Sequence, residues 1–129
     1  MQNSKVIEHI TKWLKNYALK ANQKGYIIGI SGGIDSALTS TLCALTGLDV
    51  LIVSLPLRQR NDEYKRANNN IAYLANTYNN VKSLDIDLTN TFSHLESSLP
   101  ISTVENKLAM ANTRARLRMT TLYALGQAN

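Results

Sequence analysis

The stretch of this 129-residue chain best suited to hold an anion is Ser31-Gly32-Gly33-Ile34-Asp35-Ser36. Gly32 and Gly33 open backbone angles closed to other residues and let a ligand approach the main-chain amides. The helix expected after them offers unpaired amides and partial positive charge to that ligand. Ser31 and Ser36 add hydroxyl donors suited to phosphate oxygens. Asp35 is discordant, because a carboxylate beside a phosphate repels it. A magnesium ion bridging Asp35 to the phosphate would reverse that sign, so a metal-ligand role is expected. Capping of the following helix is the alternative role. The loop lacks the Gly-Lys-Ser/Thr of a Walker sequence, and no lysine lies between Lys24 and Lys65.

The elements around this loop place it. Val6, Ile7, Ile10, Trp13, Leu14 and Tyr17 recur at helical spacing, with Ser4 as a candidate N-cap and Gly25 at or beyond the helix end. Tyr26 to Ile30 is a short apolar run, the pattern of a strand buried on both faces. Ser31 to Ser36 is read as the loop, and Ala37 to Thr46 as a helix stopped by Gly47. Asp49 to Leu55 forms a second buried strand, broken by Pro56. Asp62 and Glu63 favour a helix start, with the helix running to about Tyr78. Val81 to Ile86 is a weaker strand. Leu88 to Ser98 is ambiguous between a short helix and irregular structure. Pro100 marks a turn, and Val104 to Gln127 reads as one long helix ending near Gly126. Alternating strands and helices imply a parallel sheet in an α/β fold, and the hexapeptide falls at the carboxyl end of a strand, where such sheets bind ligands.

Bulk properties agree with one soluble globular domain spanning 1–129. Apolar residues make up 44% and charged residues 18%, which excludes a disordered chain. The net charge of +5 suits phosphate-bearing ligands, but the basic residues form no cluster, so nucleic acid is not expected as a partner. No apolar run is long enough to span a membrane, and the N-terminus lacks a signal-peptide pattern. The single cysteine, Cys43, reads as a buried core residue and fits a reducing, cytoplasmic setting.

Ser-Gly-Gly-x-Asp-Ser directly after a strand resembles the pyrophosphate loop of the ATP pyrophosphatases. These enzymes cleave ATP between its α- and β-phosphates. Asn112-Thr113-Arg114-Ala115-Arg116-Leu117-Arg118-Met119, followed by Leu122-Tyr123, resembles the NAD synthetase pattern Gly-Asn-x-x-Ala-Arg-x-Arg-Met within that superfamily. Ala111 departs from it, standing where the family usually has Gly. The resemblance covers nearly the whole chain, as the N-terminal half of an ammonia-dependent NAD synthetase. It implies a three-layer α/β sandwich of the adenine nucleotide alpha-hydrolase type, with a parallel sheet lacking its later strands.

That resemblance also implies site roles. ATP would lie on Gly29, Ile30, Ser31, Gly32, Gly33, Ile34, Asp35 and Ser36, with magnesium on Asp35. Deamido-NAD would contact Asn112 and Arg116, and Tyr17 of a homodimer partner could reach it; packing within the helix stripe is the alternative for Tyr17. Arg116 points about 200° from Arg114 on a helix, which leaves Arg114 and Arg118 for packing or salt bridges. Arg58, Gln59 and Arg60 are candidates beside the adenosine. A single helix before the loop leaves no room for a glutamine amidase domain, so ammonia is the expected nitrogen donor. The family's Gly-Thr segment, a magnesium-binding glutamate and a phosphate-binding lysine would lie beyond Asn129. The implied reaction joins the nicotinate carboxylate to AMP, releases pyrophosphate, and then forms the amide with ammonia. Two rival readings stand beside it: another superfamily member such as a tRNA-modifying enzyme, and a non-catalytic fragment.

Overall fold

A computed structural model describes residues 3–30, 34–58 and 61–128. The elements are α1 (Asn3–Lys20), β1 (Gly25–Ile30), α2 (Ile34–Leu45), β2 (Asp49–Ser54), α3 (Asn61–Thr77), β3 (Val81–Asp85), α4 (Thr89–Ser98), α5 (Ile101–Val104) and α6 (Lys107–Ala128). The three strands form one parallel sheet in the order β1-β2-β3. Gly25 pairs with Asp49, and Val50 with Val81.

Side-chain alternation along the strands builds two cores. Ile28, Ile30, Val50, Ile52 and Val81 pack with Cys43, Ala44, Ile71 and Leu74 of α2 and α3. Ile27, Leu51 and Val53 point to the other face, against Phe92, Met110, Leu117 and Leu122 of α4 and α6. Helices on both faces of a parallel sheet make the expected three-layer sandwich. Leu14 and the half-buried Tyr26, whose hydroxyl donates to the Leu14 carbonyl at 2.8 Å, tie α1 to the first core.

Gly25 shows why β1 can start where it does. A Cβ there would lie 1.7 Å from the Asp49 carbonyl oxygen, so only glycine permits this strand pairing. At Gly29 an added Cβ would sit 3.3 Å from Leu122 Cδ1, which records how closely α6 lies on β1. Gly47 follows α2 with φ +78°, the left-handed conformation that commonly ends a helix.

Several boundaries differ from the sequence reading. Helix α1 starts at Asn3, so Ser4 lies inside it rather than at its cap. Helix α2 starts at Ile34, which puts Asp35 and Ser36 in its first turn instead of in the loop. The long helix expected over 104–127 is α6 from Lys107 onward, and Val104 instead ends the short α5. Asn106 sets the start of α6: its Oδ1 accepts from the Ala109 amide at 3.0 Å, a side-chain N-cap for that helix. Gly126 lies within α6 and does not end it. The ambiguous 88–98 segment is α4 over most of its length; the Asp87 carboxylate accepts from the Thr89 amide at 2.8 Å at its start.

Candidate functional site

The carboxyl ends of the three strands gather at one edge of the sheet. Strand β1 ends at the buried Ile30, preceded by Gly29. Ser31, Gly32 and Gly33 follow, outside the described residues, and nothing is described of the Ile34 side chain. On the far side of this gap, Asp35 is exposed in the first turn of α2, and Ser36 stands beside it half-buried. The α2 backbone is braced by Ser40, whose Oγ donates to the Ser36 carbonyl at 2.7 Å, and by Thr41, which donates to Ala37 at 2.9 Å. A strand that ends at Ile30 and a helix that begins at Ile34 thus lie on either side of Ser31, Gly32 and Gly33, the strand-then-helix order that suits anion binding at a helix N-terminus.

Next to it, β2 ends in buried Ser54, and Leu55, Pro56 and Leu57 continue as a buried segment. Arg58 has φ 55°, unusual for a residue with a Cβ. Contacts to α4 hold it there. Its amide donates to Thr89 Oγ1 at 3.1 Å, and its guanidinium donates to Ser93 Oγ at 2.8 Å and pairs with Glu96. The guanidinium carbon also lies 5.2 Å from the ring centroid of fully buried Phe92. Arg58 is therefore committed to α4. Gln59 and Arg60 lie outside the described residues.

Helix α6 divides its arginines as the helical wheel predicted. Asn112 and Arg116 are exposed together, whereas Arg114 and Arg118 are half-buried toward the sheet. Arg118 Nε donates to the Leu55 carbonyl at 3.1 Å, and the Arg114 guanidinium carbon lies 5.6 Å from the Phe92 centroid. Burial, then the charge of Arg114, draws the Arg118 guanidinium below its usual pKa, against an opposing pull from Glu63. Tyr17 is exposed on α1 and stacked on Trp13, with centroids 5.3 Å apart. Among the described residues no hydrogen bond joins Tyr17, Asn112 or Arg116 to the strand ends. Sequence reasoning missed the aromatic floor, Phe92, because its helix carried no clear periodic pattern.

Comparison with known proteins decides the family. The NAD synthase family model matches residues 6–129. The chain belongs to the NAD synthase family. It is 37% identical to the NH(3)-dependent NAD(+) synthetase of Mesoplasma florum, covering 100% of this chain and 52% of that protein. It is also 37% identical to the corresponding Mycoplasmopsis pulmonis protein, over 98% of this chain and 48% of the relative. The NMN synthetase of Francisella tularensis matches in structure with a TM-score of 0.86 at 26% identity, over 99% of this chain and 51% of that one. The Campylobacter jejuni NH3-dependent NAD synthetase shares the fold, with a TM-score of 0.84 at 24% identity, over 99% of this chain and 53% of that one. The chain thus spans about half the length of the relatives it matches. For an NAD synthase family member, the observed sheet and helices are the expected three-layer architecture. Among the described residues no helix is long and apolar enough to cross a membrane, and no three metal-binding side chains of the His, Cys, Asp or Glu type cluster.

Proposed function

We propose that this chain is the nucleotide-binding half of an ammonia-dependent NAD synthetase, a ligase that amidates deamido-NAD with ATP as energy source. The observation that carries this reading is the family match over residues 6–129; the end of β1 at Ile30 and the start of α2 at Ile34, with Ser31, Gly32 and Gly33 between them in sequence, support it. In this reading the stretch from Gly29 to Ser36 receives the ATP phosphates, and Asn112 and Arg116 bind deamido-NAD from the exposed face of α6. The enzyme works in the cytoplasm as a homodimer, and Tyr17 of the partner subunit extends the substrate site.

Asp35, an exposed carboxylate in the first turn of α2 that forms no cluster of metal-binding side chains among the described residues, would supply one ligand to a magnesium ion. Magnesium bound there would neutralise phosphate charge. The chain's own share is orientation. Main-chain amides at the α2 N-terminus fix the pyrophosphate portion, and Arg116 fixes the substrate so that its carboxylate lies in line with the α-phosphorus. Attack there forms a carboxylate–phosphorus bond as pyrophosphate leaves. Ammonia then adds to the activated carboxyl carbon, loses a proton, and expels AMP to give the amide.

The direct test joins this chain to the second half of the Mesoplasma florum relative and supplies ATP, magnesium, ammonia and deamido-NAD. NAD, AMP and pyrophosphate in equal amounts are expected from the joined protein, and no NAD from residues 1–129 alone. The likeness to the Francisella NMN synthetase favours a second substrate, the mononucleotide acid, as the alternative. Turnover of that compound in place of deamido-NAD would select it.

A further inference from the structure

Arg114 and Arg118 stand one turn apart on the sheet-facing side of α6 and share a face. The bond from Arg118 to the Leu55 carbonyl fixes that side chain at the carboxyl end of β2. One turn further along α6, Leu122 closes over Gly29 of β1, so the arginine pair sits beside the ends of both strands. A guanidinium offers five N–H donors. Arg118 uses one on Leu55; Arg114 has its ring contact with Phe92 and, among the described residues, no hydrogen bond. Among the described residues neither is paired with a carboxylate within salt-bridge distance, unlike Arg58, which Glu96 neutralises on the same aromatic ring. Glu63 of α3 influences Arg118 electrostatically. Two like charges one helical turn apart oppose each other, and partial burial adds to the cost. An oxyanion that accepts from both forks would remove both penalties.

We propose that Arg114 and Arg118 form an anion subsite at the carboxyl end of β2 that holds a phosphate-class oxyanion of the nucleotide. The pair's surroundings define a cationic site by themselves; the choice of phosphate rests on the ATP-cleaving reading above. Two sources share this chemistry, the departing pyrophosphate and the α-phosphate retained in AMP.

The test is a titration of the nitrogen-15-labelled 129-residue chain with inorganic pyrophosphate and, separately, with AMP, following the arginine Nε–Hε signals. The Arg114 and Arg118 signals are expected to move together. Movement with pyrophosphate alone assigns the subsite to the leaving group, and movement with AMP alone assigns it to the α-phosphate. Arg114→Gln should raise the Kd of the anion that binds about tenfold or more. Arg114→Lys, which keeps the charge but loses the fork, should weaken binding less and guards against a folding defect. Lys107→Gln, which removes the same charge from the exposed start of α6, should leave the Kd unchanged. Signals that stay still with both anions, or a Lys107→Gln effect equal to that of Arg114→Gln, would overturn the subsite. NAD formation by the joined protein with unmoved arginine signals would sink the subsite alone. Moving signals without NAD formation would sink the functional reading alone.

Discussion

Arg116 and Arg114 are two residues apart in sequence and differ in everything that matters for binding. Arg116 is exposed beside Asn112, while Arg114 lies half-buried on the aromatic ring of Phe92. In the joined protein, Arg116→Ala should raise the KM for deamido-NAD about ten- to a hundredfold, the effect of a lost charge-assisted hydrogen bond, and leave ATP affinity intact. Steady-state kinetics with each substrate varied in turn would check this. Asp35→Asn should lower magnesium-dependent turnover about tenfold or more, seen as a displaced magnesium titration of NAD formation. Cys43 carries a different prediction. Burial pushes its thiol from 9.0 up to about 11, so the folded protein keeps the proton that the unfolded chain releases. Stability from this group is complete below pH 9 and is lost as pH rises toward 11. Urea midpoints should therefore fall between pH 9 and 11, and Cys43→Ala should flatten that fall. Tyr26, raised chiefly by its own burial, contributes in the same direction.

At the scale of elements, what could be read from sequence followed the strength of each local signal. The continuous apolar runs of β1 and β2 gave the parallel strands, and Gly47 marked the end of α2 with a left-handed cap; burial on both faces holds for most of the central β2, whereas the edge strand β1 is half-buried except at Ile30. The start of α2 was placed too late. Asp35 and Ser36 are equally suited to a loop and to the first helical turn, and only tertiary placement chooses. The start of α6 was placed too early, at Val104 in place of Lys107, because no Pro or Gly near Asn106 separates it from α5. The signal was Asn106 itself, a good N-cap. Asn106→Ala should cost about 0.5–2 kcal/mol, measured by chemical denaturation. Gly25→Ala should be the more damaging change, since its Cβ would meet the Asp49 carbonyl oxygen and force β1 and β2 apart. A lower melting temperature, with loss of the slow-exchanging amides of both strands, would check it. The role of Arg58 was not legible, because its partners Thr89, Ser93 and Glu96 are 31 to 38 residues away in sequence.

Across the whole molecule, the sheet orders its binding elements at one edge. The end of β1, the segment from Leu55 to Leu57 and the inner face of α6 come together there, and the three-layer packing holds them in place. Exposed Asn112 and Arg116 face outward from this assembly, and so does the Trp13–Tyr17 pair on α1. Outward-facing polar and aromatic groups suit the homodimer reading, in which a second subunit completes the substrate site. The family assignment could be reached from two short segments, the hexapeptide and the stretch from Asn112 to Met119, because each combines rare residue types at fixed spacing. The division of labour between Arg114, Arg116 and Arg118 needed the fold, since only the packing of α6 on β1 and β2 shows which of them turns inward. The measurement closest to the central claim is product analysis of ATP turnover by the joined protein. Cleavage dependent on deamido-NAD and ammonia, with AMP, pyrophosphate and NAD formed one for one, is the predicted result. Release of ADP and inorganic phosphate, or AMP formation indifferent to deamido-NAD, would contradict it.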